Sequence, residues 1–142
     1  MTPGDRDMRW TPLHPVQAVL LGGMLALFTG ALASDYAYSQ SYQIQWANFA
    51  SWLNAGALVF CGFALLWALI DLLSAARRGL RGWSFAGLLL AAFTIGLIGA
   101  LLHSRDAWAM MPGGIIASAF TLLAAAAATW TGFSAVRAGV AT

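Results

Sequence analysis

The sequence predicts an all-α integral membrane protein, a four-helix up-down bundle with both termini cytoplasmic and residues 1–142 forming one membrane domain. Three observations predict it: a composition suited to lipid, four long apolar stretches, and arginines gathered at one side of them. Hydrophobic residues make up 61% of the chain and charged residues only 8%, which is outside the balance of a water-soluble domain. The seven basic residues are all arginine and the five acidic ones all aspartate, giving a net charge of +2. So thin a basic surface gives no support to a nucleic-acid partner.

The N-terminal stretch before Leu13 mixes Arg6 and Arg9 with Asp5 and Asp7, and no short apolar core with a small-residue cleavage site follows. It does not read as a cleaved signal peptide. The apolar stretches then fall at residues 14–35, 47–75, 83–104 and 112–136, each long enough as helix to cross a hydrocarbon core of roughly 30 Å. Helix is required because strands at an open edge would leave backbone groups unpaired in lipid, and the runs are too continuous for barrel strands. The second span is the longest and is expected to tilt or to extend past the membrane. Pro112 opens the fourth span, where a missing N–H does no harm.

Arg6 and Arg9 precede the first span, Arg77, Arg78 and Arg81 separate the second from the third, and Arg137 follows the fourth. After four crossings these six share one side, with only Arg105 opposite. Basic residues stay in the cytoplasm, so both termini are expected inside, in a bacterial inner membrane whose other face is periplasmic. Trp10 and Trp83 fall at the inner boundary and Trp46 and Trp108 at the outer one, as amphipathic rings should. Short connections make neighbouring helices antiparallel. Gly22, Gly23, Gly56, Gly62, Gly96, Gly99 and the run Ala124 to Ala128 read as seams of close helix approach. Cys61, the single cysteine, lies within an apolar run and reads as a small hydrophobe; it excludes an intrachain disulfide, a thiolate metal cluster and a CxxCH haem attachment.

Polar residues gather at the outer face. Asp35, Tyr36, Tyr38, Gln43, Gln45, Trp46 and Asn48 come from the first connection, and His103, Arg105, Asp106 and Trp108 from the second. His103 and Asp106 share a helical face if the third helix continues that far, so the carboxylate would orient or charge the imidazole. A histidine held so can ligate haem iron, relay a proton or bind a quinone oxygen. The plainer reading is a helix end whose His103 and Arg105 meet terminal carbonyls and whose Asp106 begins a turn. Asp35 is expected to pair with Arg105 across the bundle. Asn54, two turns into the second span, needs a partner, with Thr29 or Ser118 as candidates. Met110 and Met111 are either thioether ligands or filler.

At the inner face His14 and Asp71, with Arg77, Arg78 or Arg137, read as an anchoring network. His14 begins one outward helix and His103 ends the next, so about 30 Å separates them and they cannot share one haem within a monomer. A bis-histidine haem would take His103 from two protomers; a histidine–methionine site would need Met110 or Met111 to fold back. HExxH, GxSxG, GxxxxGK[ST] and a GxGxxG after a strand are all missing, so the chain is not expected to be an enzyme by itself. The spans also lack mid-membrane ionisable pairs and Gly/Pro-broken repeats, which gives transport little support.

Three segments, HPVQAVLLGG at 14–23, LASDYAYSQSYQIQWANFASWLNAG at 32–56 and ALLHSRDAWAMMPGG at 100–114, together resemble the small bacterial membrane proteins grouped as domain of unknown function 2231. The resemblance runs over nearly the whole chain. It implies a four-helix membrane protein without an agreed activity, from a family with some members joined to cytochrome c or Rieske iron–sulfur domains. Two functions are therefore expected. One is a redox-accessory or electron-transfer subunit that binds haem b or quinone through His103, Asp106, Trp108, Gln45 and Trp46, with His103 as metal ligand, and meets a periplasmic cytochrome or dehydrogenase. The other is a non-catalytic anchor or assembly subunit for partner proteins, other membrane subunits or further copies of the chain.

Overall fold

The computed structural model of the chain describes residues 13–74, 79–105 and 107–140, with the backbone alone at 107, 108 and 135–140. Five helices occur: α1 Pro15–Ser41, α2 Ile44–Leu73, α3 Leu80–His103, the single turn α4 Ala107–Met110, and α5 Gly113–Val140. Four of them are long and apolar enough to cross a membrane, and no strand occurs among the described residues. The fold class is the one the apolar runs predict, and the chain is a multi-pass membrane protein in contact with lipid. Trp10, Arg77, Arg78 and Asp106 lie outside the described residues, as does the side chain of Arg137.

Helix ends follow local chemistry. His14 caps α1 with extended backbone, and its Nδ1 accepts the Val16 N–H at 3.3 Å, while Pro15 brings a fixed helical φ where its missing N–H is not needed. The first connection differs from the sequence expectation. No glycine or proline interrupts residues 35–41, and the hydroxyls of Ser39 and Ser41 donate back to the carbonyls of Tyr36 and Ala37, so α1 continues six residues past the expected boundary of its apolar run. Tyr42 then turns the chain with φ 55, its N–H closing on Tyr38 O at 2.7 Å. Only Tyr42 and Gln43 separate α1 from α2. Hydropathy marks where lipid ends, whereas a helix ends where its carbonyls find other partners. At 1.5 Å per residue α1 and α2 reach about 40 and 45 Å, beyond a core of roughly 30 Å.

The buried residues recur at alternating three- and four-residue steps on every long helix. On α1 the run is Gln17, Leu21, Met24, Phe28, Ala31, Asp35 and Tyr38, with Ser34 buried beside it; on α2 it is Ala47, Ala50, Asn54, Ala57, Cys61, Ala64 and Ala68, with Leu72 one turn on. The α3 stripe runs through Phe85, Leu89, Ala92, Gly96 and Gly99, and that of α5 through Ser118, Thr121, Ala125 and Ala128. This is the spacing of a coiled-coil seam. Bulk comes from α1, while α2 presents alanine and cysteine, so its backbone approaches closely. Each long helix packs on two others, in the ring α1, α2, α3, α5. Cys61 is a buried free thiol, its Sγ 3.5 Å from Leu89 O.

Size is distributed inside out. Val19, Trp52, Phe63, Leu101 and Leu123 are more than half exposed, Trp52 at 78%. In water such a surface would be a large apolar patch; in a bilayer it is the ordinary outer face, and small residues take the interior where dense contact replaces hydrophobic drive.

Two predictions follow from the seams. At Gly96 an added Cβ would sit 3.0 Å from Leu58 and 3.3 Å from Phe28, whereas at Gly87 it would meet nothing within 4 Å. Gly96→Leu is expected to lose about 1–3 kcal/mol through overpacking and Gly87→Ala to be neutral or stabilising, both read by thermal unfolding in detergent. Gln17 is fully buried, and neither its Nε2 nor its Oε1 has a hydrogen-bond partner among the described residues. Since an unmade buried hydrogen bond costs ~1–3 kcal/mol, Gln17→Met, similar in length and apolar, should raise the unfolding midpoint.

Candidate functional site

Three of the four long helices meet through polar side chains at the end of the bundle that carries the α1–α2 turn, called the outer end below. Asp35 stands on the buried stripe of α1 and is fully enclosed. His103 is the last residue of α3, and its imidazole Nε2 lies 2.7 Å from Asp35 Oδ1 with both side chains at most 1% exposed. Ser118, near the start of α5, donates its hydroxyl to Asp35 Oδ2. The other ring nitrogen, Nδ1, lies 2.7 Å from Gly99 O, one turn back along α3.

These partners fix where protons sit. A carbonyl only accepts, so Nδ1 carries a proton and donates it to Gly99. Ser118 supplies its own proton to Oδ2. The contact between Nε2 and Oδ1 then requires one proton, resident on either atom, and with it the pair is neutral overall. Both carboxylate oxygens and both ring nitrogens are thereby engaged, as a buried charged pair requires. Removing one member strands the others.

Asn54 of α2 joins one layer deeper. Its Nδ2 donates to Gly96 O at 3.0 Å, and the missing side chain at Gly99 leaves space beside it, an added Cβ falling 3.8 Å from Nδ2. The two α3 glycines thus expose carbonyls to side chains of the same bundle, one to Asn54 and one to His103. Above the cluster, Tyr38, Ala47 and Met110 are buried together, with Trp46 and Met111 packed against them. Met110 and the His103 ring edge converge on Gly114, where a Cβ would be 3.1 Å from Met110 Cγ and 3.7 Å from His103 Cε1. The turn α4 therefore folds Met110 back over the histidine and closes the outer end.

Several expected partners change. Asp35 pairs with His103 and Ser118, not with Arg105, which is exposed two residues beyond the end of α3. The helical relation that would have aligned His103 with Asp106 is absent because α3 stops at His103 and Ser104 caps it. Asn54 bonds to neither Thr29, whose hydroxyl donates to Leu25 O, nor Ser118; a carbonyl bared by glycine lay nearer. Gln45 is exposed and donates to the Gln43 side chain at 2.9 Å. Trp46 belongs to the cover, and Trp108 lies on α4. His14 stacks on Trp67 with ring centroids 5.1 Å apart, at the opposite end of α1 from the cluster, and Asp71 lines an apolar groove of about 570 Å³ beside it with Val16, Leu20 and Phe63.

No family model, curated protein or solved structure matches the chain. The site must be read from its own geometry. Asp35, His103 and Ser118 are the residue types of a hydrolase triad in a different order: the serine donates to the carboxylate, so no imidazole stands ready to take its proton. Among the described residues no group of three or more His, Cys, Asp or Glu could hold a metal ion. Ser118, expected as a partner for Asn54, is instead the second donor to Asp35. Its signal was its place on a small-residue stripe, four residues below Gly114 and three above Thr121.

Asp35→Ala would leave a buried imidazole and a buried hydroxyl without a partner and is expected to lose about 3–5 kcal/mol. Asn54→Ala should lose only about 0.6–2 kcal/mol, the range for an interhelical hydrogen bond in a membrane. Unfolding by heat in detergent, with both variants beside the parent, measures the ranking.

Proposed function

We propose that the chain is a non-catalytic membrane subunit, a helical scaffold that anchors or assembles partner proteins at the periplasmic face of a bacterial inner membrane. The observation that carries this reading is the saturation of its polar cluster: His103 spends one nitrogen on its own helix, at Gly99 O, and the other on Asp35, whose two oxygens are filled from α3 and α5, and Tyr38 and Met110 cover them. Such a cluster fixes helix order and register and offers no open valence for chemistry. The arginine distribution supports cytoplasmic termini and a periplasmic outer end. There Tyr36, Gln40, Tyr42 and Gln45 are exposed, a polar and aromatic rim of the kind that soluble or membrane partners and further copies of the chain can contact.

The resemblance to domain of unknown function 2231 supports a redox neighbourhood, with a cytochrome or dehydrogenase among the partners. Electron transfer by the chain itself, through haem b or quinone at His103, has one observation in its favour, the buried Met110 thioether beside the imidazole. It requires His103 to release Asp35 or Gly99 first, since an imidazole binds iron through an unshared pair.

A reduced-minus-oxidised absorbance spectrum of the detergent-purified protein, with solvent extraction for quinone, separates the two. The scaffold reading expects a flat spectrum and no extracted quinone. A Soret band that disappears in His103→Ala while the variant stays folded would overturn it.

A further inference from the structure

We propose that the Asp35–His103 pair is a proton-operated latch, which ties the outer end of α1 to the end of α3 while it holds one shared proton and lets go when that proton leaves. The inference goes beyond the scaffold reading and rests on its closed cluster, in which His103 holds no cofactor. It rests on the direction of each hydrogen bond in the cluster.

Nδ1 of His103 is committed to Gly99 O at 2.7 Å, so the ring cannot change tautomer without losing that bond. Oδ2 of Asp35 is committed to the Ser118 hydroxyl. The only proton that can leave without breaking either commitment is the one between Nε2 and Oδ1. Its departure puts a ring lone pair opposite a carboxylate oxygen at bonding distance, and attraction becomes repulsion. The latch therefore releases in base.

Among the described residues the groups around the pair do not offset the change in charge. Asn54 stands beside it on α2, Ser118 on α5 and Met110 on α4, and all are uncharged. Tyr38, one turn further along α1, is the only other titratable side chain on the buried stripes at this end among the described residues. Arg105 is exposed. Exposed Ser104 follows His103 directly at the end of α3. Release would separate α1 from α3 and leave α1 tied to α5 through Ser118. Because α4 and Met110 follow α3 in the chain, the cover over Tyr38 loosens with it.

The chain has two histidines, His14 and His103, so ¹⁵N-histidine NMR of the detergent-solubilised protein resolves both rings. The unfolding midpoint is followed over the same pH series for the parent, Asp35→Asn and Ser118→Ala. An asparagine amide can donate to Nε2 and accept from Ser118 with no shared proton, so Asp35→Asn keeps both bonds and has no proton to lose between them in base. The expected result is a parent midpoint that falls by about 5 °C as the alkaline range is entered, an Asp35→Asn midpoint that stays level there, and a Ser118→Ala midpoint that starts lower and still falls. The His103 Nε2 resonance should move over the interval in which the parent midpoint falls, with Nδ1 protonated throughout. A parent and an Asp35→Asn protein that fall together, a level parent, or a His103 Nε2 resonance that stays still while the parent midpoint falls would each overturn the latch. The NMR comparison uses the parent alone, so it decides the matter even if Asp35→Asn does not fold.

Discussion

Helices surrounded by lipid gain little from burying apolar side chains, because the tails outside are as apolar as the neighbours inside. What remains is contact density and hydrogen bonding, and both depend on distance. The alanine and cysteine stripe of α2 and the glycines of α3 set that distance, and the rest of the architecture depends on it. With large side chains on these faces the helix axes would stand further apart. Asn54 would not reach Gly96 O, and Phe28 would have no hollow at Gly96 to occupy.

Within that close frame, polarity is concentrated where α1, α3 and α5 come together. A carboxylate in a membrane interior is tolerable only with its charge matched and its oxygens filled. Asp35 meets both conditions by drawing one donor from each of two other helices. The network is directional, unlike the alanine seam, which would allow small slips along the axis. A one-turn displacement of α3 against α1 would carry His103 roughly 5 Å away from its carboxylate. Packing brings the helices near, and the cluster selects the register. At the other end of the same stripe Gln17 is buried with no hydrogen-bond partner among the described residues.

Hydropathy and arginine placement made the spans legible, since both reflect the solvent and act on each helix separately. The hairpin between α1 and α2 was not, because the polar residues 36–41 leave the lipid yet stay helical through their own serine hydroxyls. The partners of Asp35 were hidden for another reason: Arg105 has the more obvious charge, but a pairing across the bundle depends on which residues share a buried stripe. That stripe was open to reading. Ala47, Ala50, Ala57, Cys61, Ala64 and Ala68 repeat in threes and fours on α2, and the same counting places Asp35 with Phe28 and Ala31 on α1 and His103 with Gly96 and Gly99 on α3. Counting could have put both residues inside. The choice of Ser118 on α5 as second donor needed the helices in place.

The two-residue turn at Tyr42 and Gln43 makes the bundle mechanically lopsided. It joins two helices that each exceed the membrane thickness and leaves no slack between them, so α1 and α2 behave as one stiff leaf. On the other side residues 104–112, which include α4, bridge α3 and α5. Strain arriving at the outer surface, from a docked neighbour or a change in bilayer thickness, therefore meets a tight turn on one edge of the molecule and a longer connection on the other, the edge on which His103 and Met110 stand.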